Sequence, residues 1–208
     1  MYGGEDYDAR LEQEGWDSHS FDESEWHPVV VQSPPQGELK PQTTDPIRVM
    51  NTYKPQSIQK VGDAYVYDMG QNLSGYPRIK VQGNEGDVIR LTVSENIHQD
   101  GSVNQSQSGT PYYYEYTLKG TDEEVWHPRF TYYGYRYIQV ENAKPEMGSG
   151  IKEEDPRDLP IIKEMESCFV YNSSARTGSF HSSNELFNDA YRLIVNAIKI
   201  NMHAVFTD

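Results

Sequence analysis

From Asp63 onward the chain is written in short alternating runs. "DAYVYDMG", "YPRIKVQG", "GDVIRLTVSE", "PYYYEYTLKG", "EEVWHPRF", "TYYGYRYIQVEN" and "ESCFVYNS" carry Tyr, Val and Ile at period two. That period sends successive side chains to opposite faces of a strand. Turn formers such as Gly70, "GNEGD" and "KGTDEE" separate the runs. In "VIRLTV", Ile89, Leu91 and Val93 form the core face, because the other set holds Arg90 and Thr92. In "TYYGYRYIQV" aromatic residues fall on both sides, so both faces should be covered. There Tyr133, Tyr135 and Tyr137 should share one face and Tyr132 the other, with packing roles expected for Tyr135 and Tyr137. Gly134 should permit close approach of a neighbouring strand or side chain. Seven or more such strands predict a mainly β protein, an antiparallel two-sheet β-sandwich.

The pattern changes at the end. In "SSNELFNDAYRLIVNAIKINMHAVFTD", Leu186, Ala190, Leu193, Ile194, Ala197 and Ile198 line one stripe of a 3.6-period helix. Ser182 and Glu185 have capping-box spacing and should set its start. Lys199 suits the negative end of the helix dipole. Almost everything upstream reads as strand, so the helix either closes a small domain or begins a helical one.

The front differs again. Residues 1–50 hold no sustained period: Trp16 and Trp26 sit among acids and turn formers, and Pro34, Pro35, Pro41 and Pro46 follow. Proline at that density reads as linker or edge strand. Such a segment cannot hold its own core. It is an arm lying on another domain, or the tail of one.

Composition narrows the function classes. The formal charge is -14, from 18 basic and 32 acidic residues, which disfavours binding to a phosphate backbone. No nucleic-acid partner is expected. No stretch has the length of a membrane span, so no membrane partner is expected either. Cys168 is the single cysteine, a small buried strand residue without a partner for a disulfide or zinc site. The six histidines lack ligand spacing, and no Gly-rich loop joins a strand to a helix. Neither metal nor cofactor is expected. "QDGSVNQSQSGT" lacks the regular acids of a calcium loop and reads as a long polar hairpin loop. Eleven of the 16 tyrosines lie between residues 65 and 137. Most should be core, although exposed aromatic rings could stack on sugars.

Three blocks carry a resemblance: "YDMGQNLSGYPRIKVQGNEGDVIRL", "YTLKGTDEEVWHPRFTYYGYRYIQVEN" and "TGSFHSSNELFNDAYRLIVNAIKINMHAVFTD". In order and spacing they resemble bacterial α-L-rhamnosidases of glycoside hydrolase family 78. "GEDYDARLEQEGWDSHSFDESEWHPVVV" is similar to the end of that family's N-terminal β-sandwich module. The resemblance implies three parts. Residues 1–50 would be the tail of that module plus a Pro-rich linker. Residues 51–181 would be a concanavalin-like (jelly-roll) β-sandwich, opened by Asp68 to Asn72 and with Phe130 to Val140 as a central strand. Residues 182–208 would be the first helix of a truncated (α/α)6 catalytic domain.

The family's catalytic segment begins with the pair matched here by Thr207 and Asp208. The resemblance gives Asp208 a substrate-binding role, hydrogen-bonding hydroxyls of the rhamnosyl ring. It places no catalytic residue in this chain, since the general acid and base would lie beyond 208. The whole enzyme would cleave terminal α-L-rhamnosyl residues from a carbohydrate or glycoside with inversion, its carboxyls about 6.5–9.5 Å apart. The 208 residues alone would be an inactive fragment, able to self-associate through the exposed helix. The alternatives are a stand-alone carbohydrate-binding β-sandwich and a structural spacer.

Overall fold

The computed structural model describes residues 3–108, 111–148, 151 and 155–205. Among these residues twelve strands precede one helix. They are β1 (Gly4–Asp8), β2 (Ile47–Tyr53), β3 (Ser57–Val61), β4 (Ala64–Gln82), β5 (Val88–Ser94), β6 (Asn96–Ile97) and β7 (Val103–Asn104). Then come β8 (Tyr113–Thr117), β9 (Glu124–Trp126), β10 (Tyr133–Glu141), β11 (Lys144–Pro145), β12 (Ile161–Asn172) and helix α1 (Glu185–Asn201). A 3-10 turn, Ala9–Leu11, follows β1.

The expected class is the one found: a mainly β, concanavalin-like fold followed by one C-terminal helix. Its two faces are parts of one curled ten-stranded sheet, with the path β1-β8-β5-β10-β4-β12-β11 and β2, β3 and β9 attached. The 19-residue β4 joins the faces. Its first half pairs with β3 and β10, and its second half with β12 and β9. A strand that changes neighbours along its length turns a corner between sheet layers. Two pairings are parallel, β1 with β8 and β11 with β12. The polar loop after β5 forms a small ribbon of its own, β6 with β7.

Alternation explains the core. Ile89, Leu91 and Val93 of β5 are fully buried, as are Tyr114 of β8 and Ile138 and Val140 of β10. They join Tyr65, Tyr67, Leu73, Ile79, Met165 and Phe169 in one cluster. Each large apolar side chain buried contributes about 1.5–3 kcal/mol. Cys168 is buried and free, and burial pushes its thiol up.

The front arm is partly built into this sheet. β1 adds an edge strand, Ala9 enters the core, and β2 pairs with β12. A boundary at residue 50 therefore falls inside β2.

Several local expectations are corrected. Asp68 to Asn72 lie in the middle of β4 and do not open the fold, because β2 and β3 precede them. The central strand begins at Tyr133, not Phe130. The amides of Arg129 and Phe130 donate to the Glu5 carboxylate instead of a ladder, and the Phe130 side chain is exposed. The close approach belongs to Gly75, opposite Tyr133, where an added Cβ would lie 1.9 Å from the Cys168 carbonyl oxygen. At Gly134 it would meet only Glu95, at 3.5 Å.

The helix is capped by Asn184, whose side chain accepts from the Leu186 amide at 3.0 Å. Ser182 is held outside by Asn188, which accepts from its amide and donates to its carbonyl. That two-point grip explains why the Ser182 capping box does not form. It also explains why Asn188 is the helix's buried residue.

Candidate functional site

The residue that the resemblance singles out, Asp208, lies outside the described residues. Among the described residues no group of three His, Cys, Asp or Glu could hold a metal ion. His127 stacks on Tyr76 and His203 on Tyr132, with ring centroids 5.0 Å and 4.8 Å apart. Both are packing roles.

The site that does form starts from an irregularity in the sheet. Asp68 pairs with Tyr137 and Leu73 with Tyr135, so Met69 to Asn72 bulge opposite the single residue Arg136. Gly70 makes the bulge possible at φ +85°, where a Cβ would run into the Gln56 side chain. Its amide donates to Asp68 Oδ1 at 2.7 Å. Arg136 closes the bulge by donating to both Asp68 oxygens at 2.7 and 2.8 Å. The guanidinium holds the Asp68 carboxyl below the usual carboxylate range, against the opposing effect of burial.

The bulge also shifts the phase of β10. Tyr135 is fully buried and donates from its hydroxyl to Ser167 Oγ at 2.8 Å. Beyond the shift, Ile138 and Val140 take the inward positions and Tyr137 is only half-buried, with the Arg136 guanidinium 5.0 Å from its ring centre. The packing expectation therefore holds for Tyr135 and fails for Tyr137. Strict alternation could not foresee the extra residues on the neighbouring strand.

Helix α1 runs past this bulge and leaves a cleft of about 1050 Å³. Gln71, Asn72, Asn96 and Tyr137 line the sheet side, with Tyr191, Asn196 and Lys199 on the helix side. Arg176, just before the helix, donates to the Gly178 carbonyl and the Tyr191 hydroxyl, both at 2.8 Å, and lies over the Tyr191 ring. Lys199 lies over the ring of Tyr171. The far end of the helix is tied by Asn172, whose amide donates to the Met202 carbonyl. The Asn172 side chain donates to the carbonyls of Asp45 and His203 at 2.8 and 3.0 Å. Carboxamides beside aromatic rings can bind hydroxyls and stack on apolar sugar faces.

The helix turns Asn188, Tyr191, Val195, Asn196 and Lys199 to this cleft and most of its apolar stripe outward, with Leu193 at the rim. Leu186, Leu193 and Ile194 are 70%, 72% and 57% exposed. Nothing in the local sequence distinguishes which face meets the sandwich; Ile200 packed against the core and Lys199 over the Tyr171 ring decide it.

Comparison with known proteins bears on this arrangement. Residues 58–160 match the family model described as the bacterial alpha-L-rhamnosidase concanavalin-like domain. Residues 1–51 match the alpha-L-rhamnosidase N-terminal domain. An alpha-L-rhamnosidase of Formosa agariphila is 30% identical over the whole chain, which covers 21% of that protein. The alpha-L-rhamnosidase structure from Dictyoglumus thermophilum superposes with a TM-score of 0.86 at 34% identity, covering 100% of this chain and 22% of that one. The Streptomyces avermitilis alpha-L-rhamnosidase, complexed with L-rhamnose, gives 0.83 at 28%, covering 98% and 19%. The chain spans about a fifth of the length of the curated relatives it matches over its full extent. With two family models in sequence, and a full-chain structural match at 34% identity, the chain belongs to the bacterial α-L-rhamnosidases of glycoside hydrolase family 78.

Proposed function

We propose that this chain is the non-catalytic β-sandwich portion of an α-L-rhamnosidase that hydrolyses terminal α-L-rhamnosyl residues of a carbohydrate or glycoside with inversion. In this reading residues 1–50 end an N-terminal β-sandwich module. Residues 51–181 are the concanavalin-like domain. Residues 182–208 begin the (α/α)6 catalytic domain, and Asp208 hydrogen-bonds the rhamnosyl hydroxyls. The general acid and base lie beyond it.

The observation that carries the reading is the helix with its apolar stripe turned to solvent. Burying a Leu or Ile is worth about 1.5–3 kcal/mol, so a helix with that stripe is built to be covered on its outer side. A helical domain packed there would supply the cover. The role assigned to the sandwich is to support and orient that domain, because inverting hydrolysis needs two carboxyl groups held on opposite sides of the sugar.

An aryl α-L-rhamnoside tests the division of labour. The 208-residue chain should show no turnover above the blank, since loss of acid–base catalysis removes orders of magnitude in rate. A polypeptide that continues through the catalytic segment should release rhamnose with inverted anomeric configuration, read by proton NMR. Turnover by the 208-residue chain, free of host glycosidase, would overturn the proposal.

A further inference from the structure

We infer that Asn172, at the end of β12, is a positioning residue for Asp208: it anchors Met202 and His203, just after α1, and so fixes where the chain sets out towards that aspartate. The inference rests on the function proposed above, in which Asp208 binds the rhamnosyl ring, and adds the part of the sandwich that serves it. No glycine ends the helix. Its C-cap, Met202, is extended at φ -101° and ψ 98°, and His203 follows where many helices carry a glycine. The carbonyls left open there are taken instead by a strand residue far upstream. The Asn172 amide donates to the Met202 carbonyl at 3.1 Å, and its side chain donates to the His203 carbonyl at 3.0 Å.

The Asn172 carboxamide is committed on every side. Nδ2 donates to the Asp45 carbonyl as well as to that of His203, and Oδ1 accepts from the amide and the hydroxyl of Ser174. Two donated and two accepted bonds use its full capacity. The residue is buried, so bulk water does not make good a lost bond. An aspartate has the same shape but cannot donate to the two carbonyls. His203 completes the anchor, its buried ring stacked on Tyr132 with centroids 4.8 Å apart. These ties gather at the end of the helix nearer Asp208 in the chain. Ile200 packs against the core and Lys199 lies over Tyr171, whereas the side-chain bonds of Asn188 and Tyr191 stay within residues 176–192. Five residues of chain reach at most about 18 Å, so holding His203 limits where Asp208 can stand. A misplacement of about 1 Å in a site can cost about a hundredfold in rate.

The test uses a polypeptide that continues through the catalytic segment, with an aryl α-L-rhamnoside as substrate and L-rhamnose as a calorimetric probe. Asn172→Asp keeps the shape of the side chain and loses both donated bonds. It should raise KM and weaken rhamnose binding about tenfold, with kcat changed less than about threefold, because Asp208 holds the sugar before and during the reaction. Tyr132→Ala should act in the same direction, and Tyr132→Phe, which keeps the stacked ring, should retain the wild-type KM. In an Asp208→Ala background Asn172→Asp should raise KM little further, since the two changes act on one contact. A merely structural role gives the opposite pattern: a lower melting temperature with KM unaltered, and full additivity with Asp208→Ala. Unchanged KM and rhamnose affinity in the folded variants would overturn the inference, and so would full additivity. If Asn172→Asp does not fold, the two Tyr132 variants decide the matter by the same KM criterion. An inactive wild-type polypeptide sinks the proposed function and this inference with it; an active one whose variants match it sinks the inference alone.

Discussion

Arg136 grips both carboxylate oxygens of Asp68 across a bulge that sets four residues of β4 against one of β10. The pair holds the sheet at the place where its register changes and where the cleft opens.

Replacing Arg136 by Lys should keep the charge but lose the two-point geometry, at a cost of about 1–2 kcal/mol. Asp68→Asn should cost a similar amount, and the double variant less than the sum, because the two residues share one interaction. Urea unfolding of the four proteins measures the coupling. Full additivity would remove the pair's structural role.

Asp155 makes the more deeply buried ionic contact. Its carboxylate accepts from Tyr65 Oη at 2.7 Å, Lys60 Nζ at 3.1 Å, and Arg157 Nε and Nη2 at 2.9 and 2.6 Å. The Arg157 hydrogen bonds and then that of Tyr65 hold this carboxyl far below its ordinary value, while burial and the Asp155 contact push Tyr65 up to about 12. A carboxyl whose folded pKa is depressed stabilises the fold fully above its unfolded pKa, near 4, and progressively less below it. Asp155→Asn should therefore cost about 3 kcal/mol near neutral pH, with the gap from wild type narrowing as pH falls to about 3. Denaturant midpoints at the two pH values check the sign.

Tyr135 and Tyr137 separate packing from surface. Tyr135→Ala should cost about 3–5 kcal/mol, because a fully buried ring and its bond to Ser167 are lost. Tyr137→Ala should lower the melting temperature far less, because its ring is only half-buried. Equal destabilisation by the two substitutions would contradict the phase shift along β10.

The outward stripe of α1 should make the chain associate. Sedimentation of residues 1–208 should depend on concentration, and Leu193→Lys with Ile194→Lys should abolish the dependence without changing the melting temperature. A chain ending at Ser182 should behave like that double variant. Identical monomeric behaviour of all three would count against exposure of the stripe.

Much of the fold was legible in the sequence, because a local rule governs it. Period-two alternation in "VIRLTV" places Ile89, Leu91 and Val93 inward, and neighbouring strands enforce that choice. The 3.6 period of residues 186–198 likewise identifies the helix, and a free buried Cys168 follows from its strand setting. What local periodicity cannot carry is the relation between strands. The bulge at Met69 to Asn72 is an insertion relative to β10, so it exists only once the two strands pair, and it moves Tyr137 out of the core. Gly70 reads as a turn and Gly134 as the strand glycine that lets a neighbour come close, yet Gly70 lies inside β4 and the backbone of β12 comes close at Gly75. The helix start moves from Ser182 to Asn184 because Asn188 holds the Ser182 backbone in a contact six residues apart. The cleft depends on tertiary structure alone: its walls, β4 and α1, lie more than a hundred residues apart, and contacts such as Asn172 to the His203 carbonyl, Lys199 over the Tyr171 ring and Ile200 against the core set them side by side.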